Sequence, residues 1–345
     1  MVIKVKYLGY SADYSHPADR RRIGILNDHV EIQLVRENDE DYGPLVLSND
    51  VAIHQYLKRQ SRHPVILDIV DAYLALGNFS FVDLMRNLLR SFRGKSSFIS
   101  LTYKRYLKKC ISKADACVAP SPEIAEMIRP YNENVHVIRD CHQELNTIDY
   151  TDRNSGILWE GFGSNLKHLI SIAPDLDTYL EQSKVKLFIV TEKSFFRWGN
   201  KFGKLDTEKL ISKHFPRAFP NYVELVPWSI DNINEVALKT RLAIIPIRND
   251  DKFAEHKSEN KLLELWSIGL PVIVSRTPSY LRVMTAASQS ENAVPTNDLV
   301  RRIARMYGDI NRLLTYRESG ISYVQNSNSS RQLIEKWISV VRSVL

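Results

Sequence analysis

Short apolar runs that resemble strands alternate with helical segments along this chain of 345 residues. In the first half, the predicted strands are Val2–Tyr7, Val30–Val35, Leu45–Leu47, Val65–Val70, Ala116–Ala119 and Val135–Ile138. The predicted helices between them are roughly Ala52–Gln60, Phe81–Phe92, Phe98–Lys113 and Pro122–Ile128. Such alternation is typical of α/β proteins in which helices cover both faces of a parallel sheet.

A second alternating set follows in the other half of the chain. Its predicted strands are Gly156–Trp159, Val185–Val190, Tyr222–Val226, Leu242–Ile247 and Val272–Val274. Its predicted helices are Leu166–Ile172, Asp206–Lys213, Ile233–Leu238 and Glu259–Ile268. Two α/β halves of similar size therefore predict two domains, each with its own parallel sheet.

The hydrophilic, turn-rich stretch Asn146–Ser155 is the predicted linker between the halves. It places one domain at 1–150 and the next at 151–328. The remaining segment, 329–345, contains a final amphipathic helix predicted at Arg331–Leu345.

Composition narrows the class of protein. The content of 44% hydrophobic and 25% charged residues is ordinary for a soluble globular chain. No run approaches the ~18 apolar residues that span a membrane, and the N-terminal sequence lacks the apolar core of a signal peptide. The three cysteines have no metal-like spacing, which favours a reducing cytoplasm and predicts no metal site.

The segment Lys257–Ser275, KSENKLLELWSIGLPVIVS, joins a polar helix face to a buried strand. Ser258 is the predicted N-cap of the helix, and Gly269 is predicted to end it. Lys257, Lys261 and Glu264 are spaced to share one face of that helix. Three apolar residues of the same helix are predicted to face the core: Leu262, Leu265 and Trp266.

Lysines beside a helix N-terminus are a plausible cradle for a diphosphate, because free amide groups and the helix dipole also favour anions there. One turn further on, Glu264 could accept hydrogen bonds from the vicinal hydroxyls of a ribose. The alternative is a solvated polar face on an ordinary surface helix. The turn into a buried strand favours the ligand, since open α/β sheets bind ligands at the carboxyl ends of their strands.

The stretch ELWSIGLPVIVS resembles the E-A-M-A-x-G-x-P-V-V segment of GT-B glycosyltransferases, particularly the retaining family 4, which includes glycogen synthases and bacterial polysaccharide transferases. The resemblance implies two Rossmann-like domains facing across a cleft, with the C-terminal helix crossing back onto the first. It gives Glu264 the role of ribose binding. A second glutamate expected eight residues upstream is replaced by His256, and K-S-x-N-K, with Ser258 and Asn260, stands in place of that motif.

The second half opens with ILWEGFGSNLKHL, in which a strand leads to Gly161, Gly163 and a helix predicted to start at Asn165. Glycines there allow a backbone to approach a ligand, although a G-x-G pattern alone is often only a turn. By resemblance, this is the glycine-containing loop of the donor domain. Lys167 is then the candidate basic residue for the diphosphate.

Two further loops carry donor-site candidates. By resemblance, the loop at Trp228 and Ser229 receives the nucleotide base; Trp228 either stacks on that base or only closes a sheet end. The polar loop 248–257 contains four side chains that could reach the donor sugar: Asn249, Asp250, Lys252 and His256.

Acid–base candidates lie in the first half. Asp68 and Asp71 follow a predicted strand, where a carboxylate could orient an acceptor hydroxyl or transfer its proton. The loop SADYSHPADRRR adds His16, Asp19 and the run Arg20–Arg22, and the alternative for Arg21 and Arg22 is a solvated basic helix start. The predicted catalytic set is Asp71, His16 and Lys257.

The stretch Arg86–Lys113 carries nine lysines and arginines and no acidic residue. Apolar and aromatic residues lie between them, a pattern that suits an anionic membrane surface. The alternative is a pair of lysine-rich surface helices. Nucleic acid is disfavoured, because no nucleic-acid-binding motif accompanies the charge.

Two functions remain open. The first is a glycosyltransferase that moves a sugar from a nucleotide diphosphate sugar to a glycan or lipid-linked acceptor, with no cofactor beyond that donor. The second is a non-catalytic GT-B scaffold that binds nucleotide or glycan and partners a transferase. A nucleotide-dependent dehydrogenase is less favoured, since the first strand ends in Leu8-Gly9-Tyr10 without a G-x-G-x-x-G turn.

Overall fold

The computed structural model describes residues 2–11, 13–27, 29–35, 42–49, 51–58, 63–76, 102–142, 145, 147–150, 155–198 and 202–345. Its internal contacts divide the chain into two compact units. The first unit comprises Met1–Gln143, His256–Asn260 and Ser327–Leu345. The second unit comprises Glu144–Glu255 and Lys261–Asn326.

The first unit is built on a sheet of six parallel strands in the order β2-β1-β3-β4-β5-β6. The strands are β1 (Ile3–Leu8), β2 (Ile32–Val35), β3 (Leu45–Ser48), β4 (Val65–Asp68), β5 (Ala116–Ala119) and β6 (Val135–Val137). Every residue of the three strands β3, β4 and β5 is buried. Their continuous apolar runs are what a parallel sheet covered on both faces requires.

Short helices connect these strands. They are α1 (Pro17–Arg20), α2 (Ile53–Lys58), α3 (Tyr103–Ile111) and α4 (Pro122–Ile128), with 3-10 turns at Gly24–Leu26 and Tyr73–Ala75. Thr102 and Ser121 cap α3 and α4 by accepting hydrogen bonds from the backbone N–H groups of Arg105 and Ile124. The predicted helix Phe81–Phe92 lies outside the described residues.

The C-terminal helix, α14 (Ser330–Ser343), belongs to the first unit. Ser329 and Gln332 form a capping box at its start. Leu333, Trp337 and Val341 are buried in the same apolar cluster as strand residues of the first sheet. The prediction that this helix crosses back onto the first domain is confirmed.

The second unit repeats the plan, with six parallel strands in the order β11-β8-β7-β12-β13-β14. They are β7 (Gly156–Glu160), β8 (Lys186–Thr191), β11 (Val223–Pro227), β12 (Thr240–Ile245), β13 (Val272–Ser275) and β14 (Ala293–Val294). Alternate residues of β7 lie in two different apolar clusters, one of which contains Ile157 and the other Leu158. Residues of one strand therefore contribute to two separate cores.

Helices cover this second sheet. They are α5 (Leu166–Ile170), α6 (Ala173–Ser183), α7 (Thr207–His214), α8 (Ile230–Ala237), α9 (Lys252–Glu255), α10 (Asn260–Ile268), α11 (Pro278–Ala286), α12 (Leu299–Met306) and α13 (Ile310–Ser327). Turns of 3-10 helix lie at Gly163–Asn165, Ser290–Asn292 and Thr296–Asp298. Five of these helices were not predicted from the sequence: α6, α9, α11, α12 and α13. α9 lies within the segment 248–257, which was predicted to be a loop.

A two-stranded antiparallel hairpin, β9 (Ser194–Trp198) and β10 (Phe202–Asp206), is inserted between β8 and α7. Phe195 of β9 packs against Gly163 in the turn that follows β7. This hairpin was not predicted from the sequence.

The predicted strands lie within two residues of the observed ends, and the α/β class with two Rossmann-like units is confirmed. Half of the predicted linker, residues 146 and 151–154, lies outside the described residues. Ile148, near its start, donates a backbone hydrogen bond to Ile268 within the second unit. Within the described parts of the chain, no helix combines the length and apolar character needed to cross a membrane.

Candidate functional site

The second sheet changes its direction of growth between β7 and β12. From β7 the chain adds β8 and β11 on one side, and it then returns to add β12, β13 and β14 on the other. Ligands of open α/β sheets bind outside the carboxyl ends of the strands at such a switch point. The loops that follow β7 and β12 are therefore where a ligand is expected.

Four side chains meet at this edge of the second unit. Glu160, the last residue of β7, accepts a hydrogen bond from the indole Nε1 of Trp228 at 2.7 Å. The ammonium group of Lys261 donates to the other oxygen of Glu160 and, at 2.7 Å, to Glu264. We call Glu160, Trp228, Lys261 and Glu264 the Glu160 cluster.

The two carboxylates of the Glu160 cluster are largely shielded from water. The side chains of Glu160 and Glu264 are 5% and 2% exposed, whereas that of Lys261 is 26% exposed. A carboxylate is costly to bury unless it is paired, and Lys261 pairs with both. Together, the two carboxylates and the one ammonium group carry a net charge of minus one.

The helix of the predicted diphosphate cradle starts later than expected. It begins at Asn260, so Ser258 is not its N-cap and Lys257 lies before it. The prediction that Lys257 shares a helix face with Lys261 and Glu264 is therefore wrong. The predicted core residues of this helix are buried: Leu262, Leu265 and Trp266.

Glu264 is buried rather than solvated. Only 1% of this residue is exposed, so the alternative of a solvated surface face is wrong for it. Glu160, its neighbour across Lys261, was not among the predicted site residues, since one glutamate carries no spacing motif. Its place directly after the apolar run of β7 is the signal that could have found it.

The glycine loop after β7 is held by its own contacts. The backbone N–H of Gly163 donates to the Glu192 carboxylate, and that of Gly161 donates to Val190 O at 3.2 Å. A Cβ atom at Gly163 would lie 2.4 Å from a ring carbon of Phe195. Close packing thus requires glycine at 163. Asn165 ends a 3-10 turn and directly precedes α5, as its predicted place at a helix start requires, but its side chain makes no capping hydrogen bond.

Lys167 donates to Asp251 in the loop after β12. Burial raises the pKa of Asp251, but the Lys167 hydrogen bond and other polar contacts outweigh it, so the net pKa is below the usual value. His168 binds the same loop, since its Nδ1 accepts from the Arg248 backbone N–H at 3.2 Å. The loops after β7 and β12 are therefore joined through these side chains.

Trp228 and Ser229 begin the segment after β11. The Ser229 hydroxyl caps α8 by accepting from the Asn232 N–H at 3.0 Å. Trp228 is 39% exposed, although its indole N–H is engaged with Glu160. Base stacking and closure of the sheet end both remain open for this ring.

In the first unit, the predicted catalytic residues Asp71 and Lys257 form an ion pair at 3.2 Å. Both side chains are partly exposed. The segment that carries Lys257 is fixed by its next residues. Glu259 accepts from Arg139 at 2.7 Å, and Asn260 Oδ1 lies 2.6 Å from His142 Nε2. His256 and Ser258, predicted to bind the donor, are half-buried in the same segment.

Asp68 and Arg22 form a fully buried ion pair. Arg22 donates to both oxygens of Asp68, to Asp140 and to the backbone oxygen of Ile138. Burial lowers the pKa of Arg22, but the two carboxylates outweigh it and the net pKa is raised. The alternative of a solvated Arg22 is therefore wrong, and Asp68 is engaged in the interior.

His16, the third predicted catalytic residue, caps α1 by accepting from the Ala18 N–H at 3.2 Å, and its ring stacks on Tyr10 at 4.5 Å. Asp19 in the same loop is fully buried. It accepts from the Tyr7 hydroxyl at 2.6 Å and from the Ser11 N–H at 2.8 Å. Asp19 therefore organises the loop after β1.

No family model matches the chain, and no curated protein matches it. Solved structures do match. Anabaena HepE in complex with UDP-glucose superimposes with a TM-score of 0.64 at 11% identity, over 99% of this chain and 100% of that chain. A glycosyltransferase from Rickettsia africae gives 0.62 at 10% identity, over 99% and 98%. The chain has the GT-B fold.

A further GT-B neighbour is longer than this chain. TarM of S. aureus matches with a TM-score of 0.60 at 12% identity, and the alignment covers 86% of this chain. This chain spans 54% of the length of TarM.

Two other predictions concern the surface and the bound ions of this GT-B chain. Residues 86–101 of the basic stretch lie outside the described residues. In α3, Lys104 donates to Leu76 O at 2.7 Å and Lys108 lies over the Tyr131 ring at 4.8 Å. Among the residues that the structure describes, no group of three or more His, Cys, Asp or Glu could hold a metal.

Proposed function

We propose that this chain is a glycosyltransferase that moves a hexosyl group from a nucleotide diphosphate sugar to a glycan or lipid-linked acceptor in cell-surface polysaccharide synthesis. The Glu160 cluster at the switch point of the second unit is the observation that carries the proposal. Two side chains lie next to each other there: Lys261, which can bind an anion, and Glu264, which can accept hydrogen bonds from hydroxyl groups. A nucleoside diphosphate offers the matching groups, a diphosphate and a ribose diol.

In this proposal Lys261 binds the diphosphate and Glu264 accepts hydrogen bonds from the ribose hydroxyls. Charge-assisted hydrogen bonds of this kind are the strong ones in proteins. The exposed ring of Trp228 offers a stacking surface for the base. Gly161, Gly163 and Lys167 belong to the neighbouring loop, and the family resemblance is what gives them donor-binding roles.

The reaction breaks the bond between the anomeric carbon and the diphosphate oxygen, which keeps the bonding electrons. The acceptor hydroxyl oxygen forms the new bond and loses its proton. Positive side chains that stabilise the leaving diphosphate lower the barrier without a metal. By resemblance, the sugar is transferred with retention. The catalytic candidates are those predicted from the sequence: Asp71, His16 and Lys257.

The neighbours support a nucleotide-sugar substrate. HepE was crystallised with UDP-glucose, and the Rickettsia africae protein is described as a glycosyltransferase. We place the enzyme in the cytoplasm, at the inner face of the membrane, with Arg86–Lys113 as its predicted contact with anionic lipids.

A non-catalytic GT-B scaffold is the second candidate. His256 favours it, because this histidine stands where family 4 enzymes carry a glutamate that contacts the donor sugar. Such a scaffold would bind nucleotide or glycan and would partner an active transferase.

Donor hydrolysis distinguishes a glycosyltransferase from a non-catalytic scaffold. The full chain is incubated with UDP-, GDP-, ADP- and CMP-sugars, and release of the free sugar is measured beside nucleotide binding. Hydrolysis of one donor by the wild type, abolished in Lys261→Ala, is the expected result. Binding without hydrolysis of any donor would favour the scaffold, and the absence of both would overturn the proposal.

A further inference from the structure

Glu160 contacts two of the groups on which donor recognition in the second unit would depend. Its carboxylate takes the indole N–H of Trp228 on one oxygen and the ammonium of Lys261 on the other. We propose that Glu160 is a specificity-determining residue that holds Lys261 until a diphosphate displaces it. This inference rests on the proposed function, because it concerns the same donor site.

The geometry makes Glu160 a fixed competitor. It is the last residue of a buried central strand, and its side chain is only 5% exposed. Hydrogen bonds to both oxygens hold the carboxylate in one orientation. Lys261 is more exposed, at 26%, and belongs to a longer, more flexible side chain. When a ligand arrives, the lysine is therefore the group that moves.

Because of the charge balance, Lys261 cannot pair fully with Glu160 and with a diphosphate at the same time. Glu160 and Glu264 already surround this single ammonium, and a diphosphate brings at least two more negative charges. At a partly buried site, like charges repel strongly. Lys261 must therefore shift from Glu160 towards the diphosphate, while Glu160 keeps its bond to Trp228.

The exchange of Glu160 for a diphosphate at Lys261 makes the site discriminate between ligands by their charge. A nucleoside gains the ribose contact at Glu264 but has no group that competes with Glu160 for Lys261. A diphosphate has such a group, and the strength of its charge decides whether it displaces the carboxylate. Glu160 therefore lowers the affinity for the diphosphate but not the affinity for the nucleoside. A ligand must then carry more negative charge in order to bind.

The test substitutes Glu160→Gln in the full chain. Glutamine retains an oxygen that can accept the Trp228 N–H, but it removes the charge that pairs with Lys261. Affinities for UDP, GDP and ADP and for the three matching nucleosides are measured by calorimetry, and folding is checked by thermal unfolding. Glu235→Gln is the matched control, because it neutralises an exposed carboxylate paired with Lys239.

For whichever nucleotide the wild type binds, E160Q should bind the diphosphate about tenfold more tightly, the size of one charge-assisted interaction, and the nucleoside unchanged. A purely structural role cannot produce a selective gain of affinity. If E160Q does not fold, Glu160→Asp withdraws the carboxylate by one methylene and should give the same selective gain at smaller size.

The outcomes separate the two proposals. Equal or weaker diphosphate binding by the variant, with a wild type that binds diphosphate, overturns the role of Glu160 alone. An equal gain for diphosphate and nucleoside also overturns it, because Glu160 would then act through Trp228. A wild type that binds none of the three diphosphates overturns the proposed function itself.

Discussion

A single ammonium group organises the polar residues at the carboxyl edge of the second sheet. Lys261 lies between two carboxylates that are almost completely buried. Burial of a charge is tolerated in proteins when a partner of opposite charge and hydrogen bonds replace water. Removal of either partner therefore affects binding and stability together, and the experiments on these residues need a readout specific to the ligand.

Glu264→Gln tests the ribose contact at the level of one side chain. We expect nucleotide affinity to fall by about 1–3 kcal/mol, because an amide accepts a hydrogen bond less strongly than a carboxylate does. Calorimetric titration of the folded variant measures this change, with Glu235→Gln as the surface control. Unchanged affinity in a folded variant would remove Glu264 from the donor site.

Lys261→Ala separates a phosphate-binding role of this lysine from a role in folding. The variant is expected to bind nucleoside diphosphate more weakly and free nucleoside almost as the wild type does, because only the diphosphate presents charge to an ammonium. Both ligands are titrated against the variant and the wild type. Equal losses for the two ligands would show that the lysine acts on folding.

Arg22 and Glu160 show what residue patterns can and cannot predict. Arg22 stands in a run of three arginines, which usually indicates a solvated face, yet it is fully buried against Asp68. That pairing spans 46 residues of sequence, and no local pattern encodes it. Residue type predicted which groups can bind a diphosphate, but not which carboxylates lie next to them.

At the scale of elements, the hairpin β9–β10 and the glycine loop form one packed feature. Phe195 lies against Gly163, and Glu192 accepts the Gly163 N–H. The loop that resembles a ligand-binding turn is therefore held in its conformation by an insertion that the sequence analysis did not predict. Its register, Leu205 opposite Phe195, places an apolar pair next to this loop.

Gly163→Ala tests that contact. The new Cβ would lie 2.4 Å from Phe195 Cδ1 and 2.9 Å from Phe195 Cβ, so the hairpin must shift. We expect a loss of about 1–3 kcal/mol in the free energy of unfolding, the usual size for overpacking. Urea denaturation measures this loss.

Gly308→Ala is the control for that experiment, because a Cβ there would meet nothing within 4 Å. It should change stability by less than about 0.5 kcal/mol. Adding Phe195→Ala to Gly163→Ala should recover part of the loss. Additive effects of the two substitutions would contradict the proposed contact.

At the scale of the whole molecule, net charge bears on where the chain works. The chain carries a net charge of +7, and nine basic residues fall within Arg86–Lys113. Each basic residue close to an anionic surface contributes about 1 kcal/mol, so a few that face the same way suffice for reversible docking.

Liposome sedimentation tests this expectation. We expect binding to vesicles that contain anionic lipid, weaker binding at high salt because exposed charges are screened, and loss of binding when Lys104, Arg105, Lys108 and Lys109 are replaced by glutamate. Reversal of four exposed charges elsewhere, at Lys186, Lys239, Arg301 and Arg331, controls for total charge. If the wild type does not bind anionic vesicles at low salt, the basic stretch is only a solvated surface and the predicted membrane contact is wrong.

Periodicity and turn residues were enough to predict the α/β class. All strands of the two sheets except β14, the helix Pro122–Ile128 and the C-terminal helix were predicted from local patterns, because apolar spacing and capping residues act over a few positions. Helices α12 and α13 were not predicted, although each contributes to the core of the second unit.

The sequence by itself determined the α/β class, the two sheets and the chemical types of residue available for a diphosphate and a ribose. Only the tertiary structure decided that Glu160 pairs with Lys261, that Lys257 pairs with Asp71, and that Arg22 is buried against Asp68. The physical reason is distance along the chain. Secondary structure depends on neighbours a few residues apart, whereas these ion pairs join groups up to 186 residues apart, as the positions of Asp71 and Lys257 show.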